Sequence, residues 1–199
     1  TLRHAQSAAK AGVDAITILG AEAGGHPGMN MIGAIVQGTV VPNGLGIPVV
    51  LAGGLGTGRQ LLAALALGTD GILLGSRMTV AKEIWAHDKY KKRVAEMVES
   101  DTRVVMSTFN DNSRVIDNAT AKAINKLEQQ GITDFEQYKP LVQGPNQREA
   151  YASGDFEKGT LSMGQSCIFA NEIVSVEKIF DEILIDAIET QGRLDSLAV

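Results

Sequence analysis

The chain has 199 residues, of which 44% are hydrophobic and 21% charged, with a formal net charge of −5. That length and balance suit a globular protein with one real core and room for an appendage, and with no Lys/Arg cluster to offset the negative charge they argue against a nucleic-acid partner. No apolar stretch approaches the roughly 18 residues of a membrane span, no signal peptide opens the chain, and a lone cysteine, Cys167, rules out internal disulfides and suits a reducing cytoplasm.

The first 80 residues alternate helix and strand. Thr1 is placed to cap a helix through Lys10, stopped by Gly12. Ala15 to Leu19 (AITIL), Ile47 to Ala52 (IPVVLA) and Gly71 to Leu74 (GILL) are short runs that are apolar throughout, as expected of strands buried on both faces of a parallel sheet. Arg59 to Leu67 (RQLLAALAL) is a helix between the second and third, with Gly68 at its end, so Val49 to Leu73 reads as a tight βαβ unit. From Thr79 onward strands largely vanish. Helices are expected over Val80 to Val98, Ala119 to Gln130, Asp134 to Lys139 (stopped by Pro140), Gln147 to Ala152 and Leu161 to Ala170. The basic run Lys89 to Arg93 reads as a solvated face of the first of these. Ser175 caps a last helix with Val176, Ile179, Phe180, Ile183, Ala187 and Ile188 at helical spacing. The chain opens at Thr1 without an initiator methionine, which suggests a fragment.

Each strand runs straight into a glycine-rich loop: GAEAGGHPG (Gly20 to Gly28), GGLGTG (Gly53 to Gly58) and GSR (Gly75 to Arg77). In a parallel α/β protein all three lie at the C-terminal ends of the strands, where ligands bind. Glycines there let a ligand reach the backbone, and the last two loops, with the helix starting near Gly58, form a candidate phosphate site. The alternative is that these glycines only make tight turns. The G-x-G-x-x-G spacing is not met and no Gly-Lys-Ser/Thr follows, so neither a dinucleotide fingerprint nor a P-loop is present. His26, between Gly25 and Pro27, offers an imidazole, a side chain type able to take a proton or donate a hydrogen bond, or it merely bonds a backbone carbonyl. Glu22 either orients His26 or caps the loop. His4 and His87 read as surface residues, Cys167 as a core residue, and no histidine–cysteine spacing suggests a metal site.

EAGGHPG after a strand, AGGLGTGRQLLAALALGTDG, LLGSRM, DTRVVMSTFNDNSRVIDN and SGDFEKGTLSMGQS together resemble the nitronate monooxygenase (2-nitropropane dioxygenase) family, and they span nearly the whole chain. The resemblance implies an FMN-dependent oxidoreductase of α/β class: the C-terminal portion of a (β/α)8 TIM barrel with an inserted or appended helical domain. Residues 1–80 would be its last three strand–helix units, 81–170 the mainly helical appended domain, and 171–199 a closing helix packed on the barrel. The first five strands would be absent, leaving an open sheet edge. By the same resemblance His26 is the active-site histidine beside the flavin, Gly24 and Gly25 lie along FMN, Gly53 and Gly54 bind its phosphate, and Gly75 with Ser76 completes that site. Ser76 replaces the usual threonine but keeps the hydroxyl; Leu73 stands where many members carry glutamine. The implied reaction is oxidation of alkyl nitronates or nitroalkanes with molecular oxygen. The same barrel supports NAD(P)H:quinone reduction, whose branch also carries GHPG, or reduction of enoyl thioesters. A phosphate-binding barrel piece without redox function is the rival from another class. The expected partners are small molecules, with self-association into a homo-oligomer left open.

Overall fold

The structure, a computed structural model, describes residues 1–197. Helix α1 (Leu2–Lys10) leads into β1 (Ile16–Leu19), followed by α2 (Ala34–Val40), β2 (Val49–Ala52), α3 (Gly58–Leu67) and β3 (Gly71–Leu73). The three strands form one parallel sheet in the order β1-β2-β3, with Leu19 beside Ala52 and Ala52 beside Leu73. All three therefore end at one level, and the glycine loops leave side by side.

Central β2 is the most buried strand because it has neighbours on both edges and helices against it: Val49 and Leu51 are almost fully covered. Burying such side chains contributes about 1.5–3 kcal/mol each. The outer strands differ. Leu19 and Leu73, at the ends of β1 and β3, remain 38% and 48% exposed.

Helix α3 begins with a capping box in which the Thr57 side chain accepts from the Gln60 amide, and it ends on Gly68 in the left-handed region. It packs on the last helix, α8 (Val176–Asp195). A Cβ on Gly58 would lie 2.2 Å from the Ile183 carbonyl oxygen and the Ala187 nitrogen, so glycine is what permits this approach.

Beyond Thr79 the chain forms α4 (Asp88–Ala95), strands β4 (Thr102–Val105) and β5 (Ser113–Ile116), then α5 (Ala119–Gln129), α6 (Phe135–Val142), α7 (Gly144–Ser153) and α8 (Val176–Asp195). The β4–β5 pair is an antiparallel hairpin where few strands were expected. Its turn places Met106 and Asn110 at positive φ.

Two expected helices are not formed as read. Only Asp88–Ala95 of the 80–98 stretch is α-helical, preceded by a 3₁₀ segment, Ser76–Val80. Between them, Lys82 N–H donates to the Val174 carbonyl and His87 N–H to that of Tyr151, so tertiary partners claim the amides a helix would need. The His87 imidazole caps α4 instead. Lys91 contradicts the solvated-face reading: it is 3% exposed, and its ammonium donates to the carbonyls of Ala81 and Lys82 at 2.7 and 3.1 Å.

Likewise 161–170 holds only a 3₁₀ segment, Gln165–Phe169. Its amides are taken by the Arg114 carbonyl (from Met163), the Ser76 hydroxyl (from Gly164) and the Glu22 carbonyl (from Gln165). Pro140 does not end α6, which continues to Val142. A proline there removes one helical hydrogen bond, and the exposed turn lets water replace it.

Ser175 caps α8 through the Lys178 amide, as its position suggested. Of the expected apolar stripe, Ile179, Ile183 and Ala187 are buried, whereas Phe180 and Ile188 are exposed. Among the described residues no helix is long and apolar enough to cross a membrane.

Candidate active site

A half-open depression of about 100 Å³ lies across the C-terminal ends of the three parallel strands. Gly24, Gly53, Gly54, Gly75 and Ser76 line it, with Leu19 and Leu73 at its apolar side. Gly25 and His26 do not.

The glycines serve different physical needs. Gly53 and Gly54 have φ of +98° and +75°, a region costly for any residue with a Cβ. A Cβ on Gly53 would sit 2.9 Å from the Gly20 nitrogen and oxygen, and one on Gly54 would sit 2.8 Å from the Glu22 Cβ. Both glycines therefore let the first two loops nest together. Gly24 presses on Met163 and Gly164 in the same way. Gly75 is the exception: its φ is −109° and a Cβ there would meet nothing within 4 Å. The protein's own packing does not require glycine at 75.

Ser76 is 7% exposed, and its hydroxyl accepts from the Gly164 amide at 2.8 Å. That leaves its own O–H as a donor. Among the described residues no protein group accepts from the amides of Gly54, Gly75 or Ser76. The depression thus offers a hydroxyl and backbone N–H groups from adjacent loops, a donor set suited to an anion.

The helix start that sequence reasoning assigned to this site is engaged elsewhere, and so is a neighbouring cation. The N-terminus of α3 does not reach the depression. Its Arg59 amide donates to Asp186 of α8 at 2.9 Å, and the Gly56 and Thr57 amides donate to Gln60 Oε1. Arg77, the nearest cation in sequence, donates to the Gly56 carbonyl and the Glu182 carboxylate. It fixes the second loop to α8.

His26 is exposed and lines a neighbouring depression beside α1 and the free edge of β1. Leu19 lines both depressions, so the two adjoin at the end of β1. The imidazole Nε2 lies 3.5 Å from Asp111 Oδ1, in the turn of the β4–β5 hairpin. Glu22 does not orient it: its carboxylate accepts from the Ala34 amide at 3.1 Å, at the start of α2.

Arg114 on β5 was missed by sequence reading, although it holds the histidine loop in place. Its backbone pairs with Gly25 (N–H to carbonyl 3.0 and 2.6 Å), and its guanidinium donates to the Ala21 carbonyl from Nε and Nη2. Burial pulls the Arg114 guanidinium below its ordinary range, with the Glu22 charge opposing. Ser166, also in the first depression, was missed as well. The signal lay in the SMGQS run, whose residues cross back to Ser76 and Glu22. Cys167 is buried, its thiol pushed up to about 11 by desolvation, which leaves it protonated and unreactive at neutral pH. Among the described residues no group of three or more His, Cys, Asp or Glu side chains gathers as a metal site.

The model of the family described as "Nitronate monooxygenase" matches residues 1–186. A protein named "Probable nitronate monooxygenase" from Staphylococcus aureus is 31% identical over 166 residues, covering 79% of this chain and 46% of that protein. FabK from Thermotoga maritima superposes with a TM-score of 0.91 at 30% identity, over 99% of this chain and 61% of FabK. A nitroalkane oxidase from Streptomyces ansochromogenes gives 0.77 at 25% identity, over 98% of this chain and 57% of that one. The chain spans about half the length of the curated relatives it matches, 54% for the first two and 46% for the next.

Proposed function

This chain belongs to the nitronate monooxygenase family, and from that premise we propose that it forms part of an FMN-dependent oxidoreductase that oxidises alkyl nitronates and nitroalkanes with molecular oxygen. The observation that carries the reading is the family match across residues 1–186, which includes both the glycine loops and the segments that return to them. In this reading residues 1–80 are the last three strand–helix units of a (β/α)8 barrel, 81–170 an appended, mainly helical domain with its hairpin, and 171–199 the segment of the closing helix, of which 198–199 lie outside the described residues. The three parallel strands and the free edges of β1 and β3 support it.

The residues present fit a phosphate-bearing flavin. The opening at Gly75, the Ser76 hydroxyl and the unclaimed amides of Gly54, Gly75 and Ser76 are donors without protein acceptors. They would hold the FMN phosphate, with Gly53 shaping the loop and Gly24 and Gly25 along the first loop beside the flavin. Bound FMN supplies the two-electron redox chemistry. Leu19 and Leu73 give the reacting region an apolar floor. His26, with Nε2 turned toward Asp111, would take the α-proton of a neutral nitroalkane at Nδ1, or steady a nitronate that arrives already ionised.

Enoyl thioester reduction on the same flavin is the second reading, favoured by the higher structural likeness to FabK than to nitroalkane oxidase. NAD(P)H:quinone reduction is the third, on the GHPG resemblance. Purified protein loaded with FMN is given 2-nitropropane or its nitronate in an oxygen electrode, and separately NADH or NADPH with crotonyl thioester or a quinone. Turnover of nitronate with oxygen uptake supports the proposal. Catalytic NAD(P)H oxidation with no response to nitronate replaces it with whichever acceptor is reduced.

A further inference from the structure

Next to the glycine cradle lies a second cavity, of about 220 Å³, that touches the first only at Gly75. Its walls are Met78, Ile84, Trp85, Tyr90 and Tyr151, with Thr79 between them, and none of its lining residues is charged. Tyr151 sits edge-on between two other rings, 5.1 Å from Tyr90 and 5.9 Å from Trp85, at interplanar angles of 81° and 74°. Flat, T-shaped walls of this kind suit an aromatic ring.

The cavity contains one unanswered polar group. Tyr90 is 1% exposed, and its hydroxyl is the only buried side-chain nitrogen or oxygen without a hydrogen-bond partner among the described residues. The hydroxyls of Thr79 and Tyr151 lie near enough to influence the phenol, but neither meets hydrogen-bond geometry with it, and Thr79 donates to the Ser76 carbonyl at 2.7 Å. Buried polar groups in folded proteins almost always have partners, so an orphan in a cavity wall marks a place for a ligand atom. Desolvation holds the Tyr90 phenol far above its ordinary range, which leaves it an O–H donor at any working pH. At the rim, Trp85 is 67% exposed and Ile84 37%.

We propose that the cavity framed by Trp85, Tyr90 and Tyr151 binds an uncharged aromatic carbonyl compound of one or two rings, whose oxygen accepts from the Tyr90 hydroxyl. The absence of a charged wall excludes an ionic ligand, because a buried charge needs a partner. At about 220 Å³ the cavity is smaller than a site for a drug-sized ligand, which limits its occupant to one or two rings. The site stands apart from the flavin reading, since it uses none of the cradle's donors; its occupant would sit beside the cradle at Gly75.

Trp85 is the chain's single tryptophan, so its fluorescence reports the cavity directly. The protein is titrated with 1-indanone and, separately, with indane, which has the same rings and no carbonyl; N-acetyltryptophanamide controls for collisional quenching. The expected result is a saturable Trp85 response to 1-indanone that Tyr90→Phe weakens about tenfold, the worth of one buried hydrogen bond. Indane binding should be unchanged by that substitution. The thermal midpoint of Tyr90→Phe should be equal to or above that of the wild type, because the variant removes an unpartnered hydroxyl. A response no more saturable than the free-tryptophan control overturns the site. Equal losses for indanone and indane, or no loss for indanone, overturn the role of Tyr90 and with it the carbonyl class.

Discussion

If Gly75 is glycine for a ligand's sake and Gly53 for the fold's sake, a single methyl group should separate the two roles. In Gly53→Ala the new Cβ meets the Gly20 backbone at 2.9 Å with φ at +98°. The left-handed conformation costs about 1–2 kcal/mol for alanine, and pushing backbone apart adds about 1–3 kcal/mol. A total near 3 kcal/mol lowers the thermal midpoint of a chain this size by about 6–12 °C. In Gly75→Ala the Cβ meets nothing within 4 Å and φ is −109°, so stability should stay within about 0.5 kcal/mol of wild type. FMN binding should nevertheless fall by about 10–100-fold, because a methyl at 75 holds the phosphate away from backbone donors whose charge-assisted bonds are worth about 1.5–3 kcal/mol. Thermal melts and titration of FMN fluorescence measure both quantities on the same samples. Undiminished FMN affinity in Gly75→Ala would refute the assignment of this loop to the phosphate. A large loss of stability there would refute the reading of Gly75 as sterically free.

His26→Asn should retain FMN, since the proposed phosphate donors lie on other loops, while oxidation of neutral nitroalkanes slows by about 10²–10⁴-fold; pre-formed nitronate should suffer much less, and equal losses on both would remove His26 as the base. Lys91→Met strands the carbonyls of Ala81 and Lys82 and should cost about 2 kcal/mol, or roughly 4–8 °C in thermal midpoint; an unchanged melt would mean that water replaces the ammonium. The Arg103 guanidinium, bonded at 2.8 and 3.0 Å, holds the Asp117 carboxyl below the usual carboxylate range. A depressed folded pKa contributes stability above the unfolded value near 4, lost as pH falls through the folded value. Urea melts of Asp117→Asn should therefore show a shallower stability loss below about pH 4, by less than about 1 kcal/mol because the pair is partly exposed; an identical acid slope would mean that the pair contributes nothing measurable.

The three parallel strands, α3, α5 and the cap of α8 were legible in the sequence because local chemistry decides them. Continuous apolar runs favour a parallel sheet, which buries central β2 while leaving Leu19 and Leu73 partly exposed, and Thr57, Asn118 and Ser175 each cap the helix that follows. The glycines of the cradle were legible for the same reason, since each sits where a strand ends. Their separate purposes were not. Whether a Cβ is forbidden by protein at Gly53 or by nothing at Gly75 depends on which loops nest together, and the first loop nests on the second only because parallel register brings Gly20 beside Gly53. Tertiary contacts also decided against local propensity at 81–87 and 161–170. There the backbone amides that a helix needs are taken by Val174, Tyr151, Arg114, Ser76 and Glu22, partners remote in sequence. The α3 N-terminus shows the same limit in electrostatics. Its sequence reads as an anion site, but Asp186, more than a hundred residues on, already occupies it. A hydrogen bond between distant residues leaves no local periodicity, so only the folded chain reveals which donors remain free for a ligand.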